Sequence, residues 1–310
     1  MSKLYSIGEL LIDFQSVGTK SLKDTKEFVK NAGGAPANVC VQAVKFGCEA
    51  VYLSKVGNDG FGEFLIETLE KEGVDVRFIS KSSKYDTSLA FVSFSADGER
   101  EFSFYRKMAA DLYFTPEDFK DVKFLKGDIL EFGSVALKTK EARKTHDDLI
   151  RRAKENGALI AFDPNLRFNL WEDKNELKKV VKAYLPYADI LKLGSDELEF
   201  IMEGSEDEAV KKLFANPLKI LLITYGSKGA RLVLPDGRSY YHPGYRVHAV
   251  DTTGAGDSFF GAFLAQLLDS DSLDYQKLLD MACRCGAYTT TRFGAIPAMG
   301  SRETVKKEIQ

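Results

Sequence analysis

The segment Val250-Asp-Thr-Thr-Gly-Ala-Gly-Asp-Ser-Phe-Phe-Gly-Ala-Phe-Leu-Ala265 gathers residue types that could do chemistry. Phe259, Phe260, Phe263, Leu264, Leu267 and Leu268 recur at helical spacing, so a helix is expected to begin near Ala255. Gly254, Ala255 and Gly256 then sit at a helix N-terminus, where backbone N–H groups lack intrahelical partners and the macrodipole favours negative charge. Without side chains at the two glycines, an anion can approach the backbone closely. Asp257 is the odd residue. A carboxylate suits a first helical turn on its own account, but beside an anion-binding loop it would repel a resident phosphate. It makes sense there as acceptor for the proton of a hydroxyl that attacks the phosphate. A loose phosphoryl-transfer transition state asks little basicity of such a group early on. Taken alone, this segment is balanced between a phosphate site and a capped helix.

Rival phosphate motifs are missing. The chain has no Gly-x-x-x-x-Gly-Lys-Ser/Thr, no His-Arg-Asp and no Asp-Phe-Gly. Gly254-Ala-Gly256-Asp-Ser-Phe259 lacks the third glycine of a dinucleotide fingerprint. A second glycine turn, Asn31-Ala-Gly-Gly-Ala-Pro-Ala-Asn38, precedes another helical pattern. Pro36 suits its first turn, the paired glycines allow close ligand approach, and Asn38 would project as donor and acceptor. A simple capped helix is the alternative.

The elements that must position these residues alternate. Short β-rich runs at Leu4–Ile7, Val51–Val56, Ile129–Glu131, Leu159–Asp163, Ile190–Leu193 and Leu221–Thr224 are separated by helical patterns near Pro36–Phe46, Gly60–Glu72, Thr139–Asn156 and Glu206–Phe214. Several helices stop at a glycine, Gly47, Gly73 or Gly157, as a left-handed cap requires. This order predicts a parallel sheet covered by helices on both faces. One stretch departs from it. Thr87–Tyr105 reads as two β-rich runs around Ala96-Asp-Gly-Glu, a hairpin, and Asp13–Val29 is similarly β-prone. Together they are expected to form a small antiparallel sheet, a flap over a ligand at the carboxyl ends of the strands or an edge with no function.

Composition narrows the classes. In 310 residues, 43 Lys+Arg against 46 Asp+Glu leave a net charge of −3, which removes the electrostatic basis for nucleic-acid binding. No stretch approaches the ~18–20 apolar residues of a membrane span. The N-terminus, Met1-Ser-Lys-Leu-Tyr-Ser-Ile-Gly-Glu9, reaches a charged residue too soon for a signal peptide, so a cytoplasmic protein is expected. Cys40, Cys48, Cys283 and Cys285 read as small buried thiols rather than metal ligands, since only His146, His242 and His248 accompany them.

With both glycine segments in view, Asn31–Asn38 and Asp251–Leu264 resemble the two signatures of the ribokinase-like (PfkB-type) sugar kinases, in the same order and at a fitting separation. The likeness spans nearly the whole chain: Gly8-Glu-Leu-Leu-Ile-Asp13, Val56-Gly-Asn-Asp-Gly-Phe-Gly62, Asp163-Pro-Asn-Leu-Arg167 and Thr224-Tyr-Gly-Ser-Lys-Gly229 agree too. Arg100–Arg106 followed by Ala110-Asp111, with Leu170-Trp171, looks most like bacterial and plant fructokinases.

The resemblance implies a three-layer α/β/α fold with a mostly parallel central sheet and a small β-sheet lid. The large domain would comprise 1–12, 32–84 and 111–310, with 13–31 and 85–110 as the lid. It implies ATP-dependent phosphorylation of a sugar, D-fructose to fructose 6-phosphate first. A 2-keto-3-deoxygluconate kinase or another sugar kinase of the family is the nearer alternative, and a non-catalytic sugar or nucleotide sensor the remote one. By the same resemblance Asp257 is the catalytic base, with the Gly254–Gly256 loop, through the amides of Ala255 and Gly256, as anion hole. Arg167 reaches the transferring phosphate or the sugar. Asp13, Gly33, Gly34 and Asn38 bind sugar, and Tyr105 and Arg106 close over it. Lys192, Thr224, Gly226 and Gly229 contact nucleotide. Mg²⁺ is held mainly by phosphates and water, with Glu197 in an outer role. Asp251, Thr253 and carbonyls around Arg292 and Gly294 fit K⁺. The sequence departs from the family pattern at Gly194, where Asn is usual, and at Lys107-Met108, where fructokinases usually have Asn-Pro. The apolar lid strands, such as Leu89–Phe94, would be an edge liability that pairing of two lids in a homodimer relieves.

Overall fold

The computed structural model describes residues 2–94, 100–269 and 273–310. Its strands and helices follow in chain order as β1 (Leu4–Ile7), β2 (Leu11–Ser16), β3 (Phe28–Gly33), α1 (Ala35–Lys45), β4 (Ala50–Gly57), α2 (Gly60–Lys71), β5 (Asp75–Ser82), β6 (Ser88–Phe94), β7 (Arg100–Tyr105) and β8 (Ile129–Phe132). Then come α3 (Lys140–Glu155), β9 (Leu159–Phe162), α4 (Lys174–Tyr184), β10 (Ile190–Gly194), α5 (Ser195–Ile201), α6 (Glu206–Leu213), β11 (Ile220–Thr224), β12 (Ala230–Val233), β13 (Ser239–His242), α7 (Ala255–Asp269), α8 (Tyr275–Thr290) and α9 (Arg302–Glu308).

Nine strands form the central sheet in the order β13-β12-β11-β10-β9-β8-β1-β4-β5, parallel from β11 to β5. Each of the six strands read from the sequence lies in it, with ends moved by a residue or two. Continuous burial explains why these runs do not alternate polar and apolar: Leu4–Ile7 and Ile129–Phe132 are buried throughout, because both faces carry helices. The two-residue strand period divides them between two cores. Leu191 and Leu193 face one core with α3, α4, α5 and α6, whereas Ile190 packs into the other with α1, α2, α7 and α8. β12 and β13 add an antiparallel edge that alternation of strands and helices did not predict.

The second sheet has the order β3-β2-β6-β7. It corrects one expectation. β2–β3 and β6–β7 are antiparallel, but β2 and β6 pair in parallel, so the sheet is mixed. The cause lies in the central sheet: β1, β4 and β5 run the same way, β2 continues from β1 and β6 from β5, so both leave in one direction. The expected Ala96–Glu99 turn lies outside the described residues. Among the four free cysteines Cys40, Cys283 and Cys285 are buried, while Cys48 is half-buried. No helix among the described residues is long and apolar enough to cross a membrane.

Candidate active site

The site begins with a close helix contact. A Cβ on Gly261 of α7 would stand 2.6 Å from the Val39 carbonyl oxygen and 2.8 Å from Cβ of Gln42 on α1, so these backbones approach as only glycine allows. Asp257 lies one turn before Gly261, and Asn38 adjoins Val39. The contact therefore sets Asn38 Nδ2 2.8 Å from Asp257 Oδ2, joining the two glycine segments across more than two hundred residues. Asn165 Nδ2 approaches the other oxygen, Oδ1, at 3.5 Å. Asn165 has φ 45°, the sole positive φ of a non-glycine among the described residues. Asn tolerates that left-handed conformation better than most residues. Burial pushes the Asp257 carboxyl above its ordinary range, while the bond from Asn38 and the charges of Lys192 and Arg167 pull it back.

Helix α7 starts where the sequence places it. Its first intrahelical bond runs from Ser258 N–H to the Gly254 carbonyl at 2.8 Å, so the amides of Gly256 and Asp257 have no acceptor within the helix. The Ala255 amide turns back to the Thr252 carbonyl at 3.3 Å. In this structure the helix end thus offers an anion the Gly256 and Asp257 amides, rather than the expected Ala255 and Gly256 pair. Gly254 is left-handed (φ 75°), and a Cβ there would stand 2.7 Å from Cβ of Ala295.

Strand alternation turns Lys192 from the β10 core face toward α7. Its ammonium lies 3.4 Å from where a Gly256 Cβ would be and forms a buried 2.5 Å ion pair with Asp163, just past β9. Burial alone would lower the Lys192 pKa, but Asp163 and Glu197 raise it overall, so the cation persists at the helix end. Glu197, in the first turn of α5, accepts from Leu166 N–H at 2.6 Å and Gly194 N–H at 2.7 Å. It thereby fixes the Asp163–Arg167 loop to the end of β10. Arg167 emerges from that loop, exposed, into the cavity.

That cavity is about 580 Å³ and runs along the carboxyl ends of the central strands. At one end Asp13, Gly34 and Asn38 line it, with Glu9 and Phe104. Burial pushes Asp13 up to about 6, opposed by Arg167 and reinforced by Asp251. Gly33 stands behind, and its bare Cα leaves room for the Asp13 carboxyl. Gly34 (φ 124°) is the cap of α1 and passes against the Glu9 carbonyl. At the other end Thr224, Lys192, Thr253, Asp251 and Gly294 line the cavity. Gly226 and Gly229 form the turn after β11 and do not reach it. Asp251 accepts from Thr253 N–H at 2.9 Å, from its hydroxyl at 2.6 Å and from Gly294 N–H at 3.0 Å. The Arg292 side chain points elsewhere, stacked on Tyr288 and paired with Glu308 at 2.6 Å, so only its main chain is available here.

Two expected sugar residues are placed elsewhere. Phe104 faces the cavity, so strand alternation puts Tyr105 on the outer face of the second sheet, 64% exposed and against Phe91. Arg106 is buried, its Nε donating to Ser88 Oγ and its Nη2 to Asp111, both at 2.8 Å. Neither lines the cavity. Phe104 was readable from the same alternation. Asn165 lay inside a quoted segment but carried no signal until its backbone angle was seen. Glu9 likewise lay inside the quoted Gly8–Asp13 segment but carried no signal of its own.

Comparison with known proteins follows this geometry. The pfkB family carbohydrate kinase model matches residues 1–301. The chain is 39% identical to probable fructokinase-4 of Arabidopsis thaliana, across 100% of this chain and 97% of that protein. Among solved structures, an uncharacterized sugar kinase of Pyrococcus horikoshii is 38% identical with a TM-score of 0.86, covering 99% of this chain and 97% of the other. Fructokinase of Vibrio cholerae, solved with fructose, ADP and calcium, is 31% identical with a TM-score of 0.89, covering 100% and 99%.

Proposed function

The chain belongs to the PfkB family of carbohydrate kinases, and on that premise we propose that it transfers the γ-phosphoryl group of ATP to D-fructose, giving fructose 6-phosphate. The observation that carries the reading is Asp257, held by Asn38 at 2.8 Å between the Asp13 end of the cavity and the bare amides of α7. Asp13 can accept bonds from two sugar hydroxyls, and Asn38 can donate or accept. A hydroxyl seated there faces the Asp257 carboxylate, which takes its proton as oxygen attacks phosphorus. The Gly256 and Asp257 amides, Lys192 and Arg167 offset the charge of the transferring group. Arg167 suits either phosphate or sugar by its planar fork of donors.

A neutral ketose is favoured over 2-keto-3-deoxygluconate because Arg106 does not line the cavity and its charge is paired with Asp111, so it is not presented to a substrate carboxylate. The relatives' names favour fructose as well.

Among the described residues no cluster of three or more His, Cys, Asp or Glu could hold a metal. That fits a divalent ion, Mg²⁺, carried mostly by phosphate oxygens and water, as this hard ion prefers. Glu197 would meet it through water, since backbone amides already occupy both carboxyl oxygens. Such an ion would neutralise phosphate charge. Asp251, Thr253 and the carbonyls near Arg292 and Gly294 would hold K⁺ beside the α7 loop. The second sheet would close over the sugar as a lid. Its outer face, with Tyr105 exposed, would pair with a second copy. The enzyme would work in the cytoplasm.

The test is a coupled ADP-release assay over fructose, ribose, glucose and 2-keto-3-deoxygluconate. Fructose should give the highest kcat/KM. A tenfold preference for the keto acid would replace fructose, and no turnover with any sugar would make the chain a sensor.

A further inference from the structure

Gly8-Glu9-Leu10 is the crossing from β1 of the central sheet into β2 of the second. Glu9 is 4% exposed, yet it lines the sugar end of the cavity with Asp13, Asn31 and Asn38. Its main chain and side chain grip the glycine turn from two sides. The carbonyl accepts the Tyr52 hydroxyl at 2.5 Å and lies against Gly34, while Oε1 accepts the Ala35 N–H, the first of α1, at 3.1 Å. Oε2 is buried and has no protein partner. Nearby Arg106 makes no bond to it: its Nε turns to Ser88 and its Nη2 to Asp111. A buried carboxyl oxygen without a donor is costly, and buried polar groups are nearly always served by protein, water or ligand. Burial pushes this carboxyl up to about 7 against the pull of Arg106, as suits an acid half of which no donor serves.

We propose that Glu9 is a sugar-binding and positioning residue: Oε1 holds the Gly33-Gly34 turn in place, and Oε2 hydrogen-bonds a hydroxyl of the bound sugar. This rests on the sugar-kinase reading above. Glu9 then joins Asp13 and Asn38 in reading the substrate, and ties recognition to the point where the second sheet leaves the first.

The experiment uses Glu9→Gln, which keeps an acceptor for Ala35 N–H, and Glu9→Ala, which removes both oxygens. Each is assayed with the sugar that wild type turns over best and with its single-deoxy analogues. A bond to a charged group predicts that KM for sugar rises about tenfold or more in Glu9→Gln, with KM for ATP unchanged. One deoxy analogue, lacking the hydroxyl that Glu9 reads, should be used equally well by wild type and variant, while the others lose the full factor. A uniform loss across all analogues would mean that Glu9 only supports the turn, and an unchanged sugar KM would also overturn the proposal. If Glu9→Ala does not fold, Glu9→Gln carries the test alone. Absence of sugar phosphorylation by wild type would instead refute the kinase reading.

Discussion

Gly261→Ala places one methyl group at the α1–α7 crossing, one helical turn beyond Asp257, and its effect can be worked from distances. The new Cβ would stand 2.6 Å from the Val39 carbonyl oxygen, where ordinary contact begins at 3.4 Å. The helices must therefore part by up to 3.4 − 2.6 = 0.8 Å. Asn38 precedes Val39, so the same displacement would stretch its 2.8 Å bond to Asp257 toward 3.6 Å, beyond a hydrogen bond. Alanine gains about 1 kcal/mol over glycine in a helix, against about 1–3 kcal/mol for overpacking, so the net stability loss should be about 0–2 kcal/mol. Catalysis should suffer more, because a misplacement near 1 Å can cost about a hundredfold in rate. Denaturant unfolding measures the first quantity and steady-state kcat the second. Gly60→Ala, where a Cβ meets nothing within 4 Å, is the control: kcat should stay unchanged and stability should not fall, rising by at most about 1 kcal/mol. A Gly261→Ala enzyme with kcat within twofold of wild type would refute the claim that this helix contact sets the Asn38–Asp257 geometry.

Asp257→Asn should lower kcat by at least about a thousandfold while nucleotide binding, followed by calorimetry, persists; near-normal turnover would remove Asp257 as base. His146 is buried against Phe114 and Phe132 with its Nε2 unpartnered, and burial pushes its pKa down to about 4. The unfolded chain takes up a proton near pH 6.5 that the native His146 refuses, so this group costs stability as pH falls from about 6.5 to about 4, by roughly 3 kcal/mol in all. His146→Phe should lose less stability than wild type between pH 7 and pH 5, the difference being about 2 kcal/mol in urea unfolding. Equal losses in the two proteins would contradict the burial argument.

The alternation of strands and helices was legible because each element carries its own signal: continuous apolar runs where both sheet faces are covered, glycines after helices, and the α7 periodicity that dates its start to Ala255. The antiparallel β12–β13 edge escaped because both strands are only four residues long and β13 is exposed at alternate positions, like a loop. The hairpin chemistry of the second sheet was visible in its β-rich runs, but its parallel β2–β6 pairing was not. Pairing direction follows from how the central sheet launches each strand, a long-range fact.

By itself, then, the amino-acid sequence determined the element order, the two glycine turns and Asp257 at a helix N-terminus, all consequences of local propensity and spacing. Only the tertiary structure decided which of these meet. It turned Phe104 rather than Tyr105 into the cavity, sank Arg106 into an ion pair with Asp111, and left Glu9 with one unserved oxygen. Side-chain direction depends on strand register, and partnership depends on residues far apart in the chain, so neither is written in any single segment.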